Sequence, residues 1–273
     1  LGLVEPQSSG LGGGAFLMSY EAKTGRITAY DGRETAPASA TPELFYEDGE
    51  PLPFIDAILS GRSAGAPGAV AKLAMAHQDQ GRLAWRDLFD DAERLARDGF
   101  VVSPRLAGMI NGSSPQAKTR WATALFTGPD GRRYRTGDVM RNPAYARTVQ
   151  ALATEGPGVF YGGRIGREIA RTVAEGPRPG GLTEADIAAY RPLRRDALCR
   201  PYRIYVICVP PPPSSGKRRF PLASRPASAT VSPWRIARPC SPSSAAGRRA
   251  ASCASTPSSR SSSSIRSPAT TPP

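Results

Sequence analysis

Apolar and polar positions change period several times along this 273-residue chain, and each change marks an element. The runs "FLMSY" (16–20) and "RITAYDGR" (26–33) are β-rich and flank Thr24-Gly25, where glycine accepts the positive φ of a tight turn; a hairpin over 16–33 is predicted. Pro67 is expected to open a helix through "GAVAKLAMAHQDQ", with Gly81 just beyond its end. A second helix is predicted through "WRDLFDDAERLARDG", because Trp85, Leu88, Phe89, Ala92, Leu95 and Ala96 recur at helical spacing and Gly99 suits the position after its end. Ser103-Pro104 and Asn142-Pro143 each set a capping side chain before a proline at the first helical position; the second pair opens "PAYARTVQALATEG". Ile165, Ile169 and Val173 share one face of a helix over roughly 163–175. Thr183 caps a short helix that stops near Tyr190, ahead of Pro192, and "YRIYVICV" (202–209) reads as a strand before four prolines. Helices and strands occur together without an internal repeat, so the class is mixed α/β or α+β.

This patterning stops after Gly216. All 23 Asp and Glu lie at or before Asp196, whereas the last 57 residues hold ten Lys and Arg, fifteen Ser, ten Ala, nine Pro and no acid. Ten of the thirteen net positive charges therefore belong to residues 217–273, and residues 1–216 have an ordinary balance. That body is long enough for a sizeable core. In the tail, Phe220, Leu222, Val231, Trp234, Ile236 and Ile265 are scattered. They cannot offset an ordering cost of roughly 1–2 kcal/mol per residue, so the tail is predicted to be disordered.

Candidate chemistry is sparse. Cys199, Cys208, Cys240 and Cys253 show no CxxC spacing and His77 is the only histidine. This argues against a Cys/His metal site, and against a histidine-based nucleophile unless His77 is the base. His77 stands beside Gln78, Asp79 and Gln80 and is expected on the exposed, polar side of its helix. No apolar run approaches the ~20 residues of a membrane helix. The segment "SSGLGGG" (8–14) lacks the Lys-Ser/Thr ending of a phosphate loop and precedes a strand, so it reads as a tight turn that lets two backbones approach. Asp90, Asp91 and Glu93 with Arg86, Arg94 and Arg97 form a charge-laced helix face rather than an acid/base pair. Arg33 sits where a strand runs out into a loop. Its planar fork suits a carboxylate, yet on the residues alone a solvated strand-end arginine is the better reading.

Six segments, in order, resemble the large-subunit region of the γ-glutamyltransferases (γ-glutamyl transpeptidases, or glutathione hydrolases). They are "EPQSSGLGGGAFL" (5–17), "DGRETAPASATPELF" (31–45), "SGRSAGAPGAVAKLAMAH" (60–77), "GRLAWRDLFDDAERLARDGFVVSPRLA" (81–107), "LTEADIAAYRP" (182–192) and "PYRIYVICVPPPPSSG" (201–216). The resemblance implies an α+β N-terminal-nucleophile hydrolase fold, an αββα sandwich of two antiparallel sheets between helical layers. It also implies a precursor that cleaves itself and frees a Thr at the start of a small subunit. That Thr attacks the γ-glutamyl carbonyl of glutathione or a related amide, with its own α-amine as base, so no histidine, metal or organic cofactor is needed. Arg33 aligns with the arginine that grips the α-carboxylate of the γ-glutamyl group. Ser214 and Ser215 match a signature read as structural, and no catalytic residue is assigned in this chain. Family members are commonly exported.

Lys217-Arg218-Arg219 stands where the family continues with a glycine and an apolar helix, and the resemblance stops there. Thr230, Thr256, Thr270 and Thr271 do not have the strand context of the nucleophile. The expectation is therefore a large-subunit-like domain over 1–216, truncated at its N-terminus, lacking the small-subunit half of the sandwich and inactive alone. A shifted reading frame in GC-rich DNA accounts for the composition of 217–273. The other readings are a nucleic-acid-binding tail and a catalytically dead relative kept as a binding module. Irregular arginine spacing, without aromatic pairs or an RGG repeat, argues against nucleic acid.

Overall fold

The structure, a computed structural model, describes residues 1–176 and 178–216; the expectations of disorder, a shifted frame and nucleic-acid binding for 217–273 lie outside the described residues. The predicted hairpin is present as β1 (Ala15–Glu21) and β2 (Arg26–Gly32), paired antiparallel from Ala15↔Gly32 to Glu21↔Arg26, with Gly25 at φ 72° in the turn. A short ribbon of β3 (Tyr46–Glu47) and β4 (Glu50–Pro51) leads into α1 (Phe54–Leu59). α2 (Ala69–Gln80) begins after Gly68, not at Pro67. Pro67 is buried ahead of it and its carbonyl accepts a 2.8 Å hydrogen bond from Tyr161 Oη, which fixes the entry to the helix from outside.

The second predicted helix is interrupted. Arg86–Leu88 form a 3-10 turn, and α3 (Asp90–Asp98) starts only after Phe89, ending at Gly99 with φ 110°. The cause is packing: Trp85 Nε1 donates to the Leu152 carbonyl (2.8 Å) and the Trp85 ring meets Phe89 edge-on at 5.0 Å. β5 (Phe100–Val101) pairs across α4 (Pro104–Asn111) and α5 (Arg120–Phe126) with β6 (Val139–Met140). Both predicted caps form. Ser103 Oγ accepts from Leu106 N, and Asn142 Oδ1 accepts from Tyr145 N at the start of α6 (Pro143–Glu155), each at 3.0 Å. α7 (Gly158–Tyr161) and α8 (Arg164–Val173) precede α9 (Glu184–Ala189), where Thr183 and Asp186 make a reciprocal capping box.

β7 (Leu193–Asp196) then returns to pair antiparallel with β2, giving the sheet order β1-β2-β7. The 202–209 run is not one strand. It turns at Arg203 (φ 54°), so β8 (Leu198–Tyr202) and β9 (Tyr205–Val209) form a hairpin joined by a Cys199–Cys208 disulfide at a directly opposed pair.

Register decides what each side of the β1-β2-β7 sheet meets. Leu17, Thr28, Tyr30 and Arg194 share the side covered by α2, while Phe16, Met18, Ala29 and Arg195 share the other. On that second side Phe16 and Met18 are only half-buried. Three apolar clusters form among the described residues: one joins Leu106, Ile110 and Met140 to Ala96 of α3, one joins Leu152, Val159 and Phe160 to Val70 of α2, and one joins Leu182, Ile187 and Tyr190 to Ala66. Each large side chain buried there contributes roughly 1.5–3 kcal/mol. The result is mixed helix and sheet, the α+β class.

Candidate functional site

Arg33 leaves the C-terminal end of the central strand, and its backbone is held from both sides. Its N–H donates to Asp31 Oδ1 (3.0 Å) and its carbonyl accepts from Tyr190 Oη (2.8 Å). The buried Asp31 carboxylate also accepts from Arg195 Nε of β7 at 2.9 Å, so one side chain ties the strand end to its neighbour. The Arg33 side chain is 58% exposed, with Nη1 3.0 Å from Glu34 Oε2. That contact is an ion pair off the hydrogen-bond line, since buried Oε2 has no hydrogen-bond donor. Glu34 Oε1 accepts from Gly14 N at 2.5 Å. Glu34 thus fixes one corner of the guanidinium, and the Nε–Nη2 edge has no protein partner among the described residues.

The glycine-rich turn supplies the floor. Gly13 O accepts from Gly68 N (3.1 Å) and Ala69 N (2.9 Å), so it occupies the first N–H groups of α2. A Cβ on Gly14 would collide with the Glu34 carboxylate, one on Gly32 would stand 2.5 Å from Lys72 Cβ, and one on Gly68 would strike Tyr190 Oη and the Gly32 carbonyl. Close backbone approach is what these glycines permit. A phosphate in this turn would face Glu34, and Gly13 N, Gly14 N and the α2 donors Gly68 N and Ala69 N are already engaged.

Other candidates fall outside this arrangement. His77 is half-buried rather than on the exposed polar side: the turn at Gly81 brings the Leu83 carbonyl within 2.8 Å of Nε2, and Trp85 packs edge-on at 5.4 Å. Arg94–Asp91 (2.9 Å) and Arg97–Glu93 (3.3 Å) are solvated helix-face pairs, as the spacing predicts. Ser214 Oγ accepts from Gly216 N (3.3 Å) inside a local turn. Residue reading alone passes over Glu34 and Lys72. Glu34 is adjacent to Arg33 in the chain, which is the signal that could find it. Lys72 is 4% exposed, and burial holds its amine below the usual lysine range; nothing in its helical spacing announces this. Among the described residues no group of three or more His, Cys, Asp or Glu is placed to hold a metal ion, and no helix is long and apolar enough to cross a membrane.

The Gamma-glutamyltranspeptidase family model matches residues 1–219. Glutathione hydrolase 3 of Arabidopsis thaliana is 34% identical over 224 residues, covering 81% of this chain and 34% of that protein. Glutathione hydrolase 5 proenzyme of Homo sapiens is 37% identical over 221 residues, covering 78% of this chain and 36% of that protein. The chain therefore spans about a third of the length of these relatives. Among solved structures, Helicobacter pylori gamma-glutamyltranspeptidase superposes with a TM-score of 0.72 at 29% identity, covering 79% of this chain and 61% of that one. The Pseudomonas nitroreducens enzyme, complexed with L-DON, gives 0.67 at 27%, covering 79% and 62%. With the family model spanning most of its length and several relatives above 30% identity, this chain belongs to the gamma-glutamyltranspeptidase family.

Proposed function

We propose that residues 1–216 are the large-subunit portion of an N-terminal-nucleophile γ-glutamyltransferase, and that Arg33 grips the α-carboxylate of a γ-glutamyl donor such as glutathione. The observation that carries this reading is the Arg33 fork: Glu34 aligns it and its Nε–Nη2 edge stays open. That edge matches the two oxygens of a carboxylate in a way an ammonium cannot.

In this reading the remaining chemistry comes from a small subunit. A Thr freed by self-cleavage attacks the γ-carbonyl, and its α-amine takes the hydroxyl proton and delivers it to the leaving amine. Backbone N–H groups hold the oxyanion, and water or an amino acid resolves the acyl-enzyme. Relatives from Homo sapiens and Bacillus subtilis are named proenzymes, which fits a processed precursor. The half-buried side of the β1-β2-β7 sheet and the exposed β8–β9 hairpin support a sandwich whose second half is contributed by that subunit.

Two measurements test the proposal. The purified chain is expected to release no glutamate from glutathione, and turnover at the rate of a full-length relative overturns the division of labour. Glutathione binding, followed by saturation-transfer NMR, is expected to weaken about tenfold in Arg33→Ala and to recover only partly in Arg33→Lys. Equal binding by all three proteins removes Arg33 from the site.

A further inference from the structure

Toward the start of β2, whose Arg26 stands about 20 Å along the strand from Arg33, the β1–β2 turn and the C-terminal end of α2 enclose an open cleft of about 840 Å³. Its floor is a closed polar network. Tyr30 Oη donates to Asp79 Oδ2 (3.0 Å) and accepts from Gln80 Nε2 (2.9 Å), and Arg194 clamps the same carboxylate through Nε (2.6 Å) and Nη2 (2.5 Å). Those bonds from Arg194 hold the Asp79 carboxyl below the usual carboxylate range, so it stays ionised and its charge is answered.

The other carboxylate lining the cleft, Glu21, accepts from Thr24 Oγ1 at 2.7 Å. Lys23, Arg26 and Arg82 line the cleft as well, and none has a carboxylate within ion-pair distance among the described residues. Four cations against two acids leave two positive charges in excess on one concave wall. The hydroxyls of Ser19 and Thr28 stand on the same wall. The C-terminal dipole of α2 works against an anion here; Arg82, two residues past the helix end, offsets it. Each exposed cation alone would be worth little, and what distinguishes the cleft is that three converge around a neutralised floor.

We propose that this cleft binds a small, multiply charged anion carrying phosphate or carboxylate groups, at a site separate from Arg33. Concavity favours a small molecule over a flat protein surface. The positions also explain why it is distinct: Arg33 and Arg26 lie at opposite ends of one rigid strand, so one small ligand cannot reach both.

Calorimetric titration of the full chain with pyrophosphate, and separately with citrate, tests this. Arg26→Gln/Arg82→Gln removes two exposed charges from the cleft. Arg147→Gln/Arg167→Gln removes two exposed charges elsewhere and serves as the control for bulk electrostatics, including the ten cations of residues 217–273. At least one of the two anions is expected to bind, about tenfold weaker to the cleft variant and within about twofold of the parent for the control. Which anion binds assigns the head group, phosphate or carboxylate. Arg33→Ala is expected to leave the binding unchanged. The proposal is overturned if neither anion binds, if both double variants lose affinity equally, or if the loss follows Arg33.

Discussion

In β2, Ala29 and Tyr30 are each 1% exposed; in β9, Val206 is 68% exposed, with Ile204 beside it in the turn at 85%. Both strands are written in the same apolar, β-branched and aromatic vocabulary. β2 is flanked by β1 and β7 and roofed by α2, whereas β9 has β8 alone as its partner in the sheet. Strand propensity thus secures pairing but not burial. A two-stranded hairpin cannot cover its own faces, and here a disulfide closes the Cys199/Cys208 pair in place of a third strand. The polar atoms follow the same division. The Tyr30 hydroxyl has both its partners, Asp79 and Gln80, and the hairpin's apolar tip faces solvent.

Four measurements bear on this contrast between β2 and β9. Tyr30→Ala removes the largest fully buried side chain among the described residues and is expected to cost about 4 kcal/mol in urea unfolding. A loss under 1 kcal/mol would mean that β2 is not the centre of the fold. Gly68→Ala forces a methyl into the Tyr190 hydroxyl and the Gly32 carbonyl, with an expected cost of about 2 kcal/mol. No loss there would dissolve the close approach that seats α2 on the strand.

The third concerns pH. The folded-state pKa of Asp79 is depressed, mainly by hydrogen bonds from Arg194. Its contribution is therefore fully present above the unfolded value of about 3.9 and is lost as pH falls through the lower folded value. Asp79→Asn should flatten the decline in urea midpoint below about pH 4 relative to the parent. Identical acid profiles would count against the pair. Last, Val206→Ser should change stability by less than about 0.5 kcal/mol and reduce self-association in sedimentation. A large destabilisation would show that β9 is packed like β2.

Local chemistry was legible along the chain. Ser103, Asn142 and Thr183 cap their helices, and Gly25 and Gly99 take positive φ, because each depends only on a side chain and backbone a few residues apart. The interruption at Phe89 and the position of His77 were not legible. Both are set by partners distant in the chain or by the path of the next turn: the Leu152 carbonyl on Trp85, and the Leu83 carbonyl on His77. The 202–209 run has strand character throughout, and only the pairing register turned it at Arg203.

At the candidate site the same boundary holds. The residue type and its place at a strand end were readable for Arg33, and the family motif supplied a reason to choose the carboxylate reading. Its open Nε–Nη2 edge was not readable, because Glu34 is oriented by Gly14, twenty residues earlier in the chain. Nor was the cleft of Lys23, Arg26 and Arg82, which exists only once α2 is laid over the β1–β2 turn. What could be read along the chain was the β1–β2 hairpin, the caps at Ser103, Asn142 and Thr183, and the family. Which strand is buried, which carboxylates are answered and where uncompensated charge gathers emerge only on folding, because burial and electrostatics depend on distances between residues far apart in the chain.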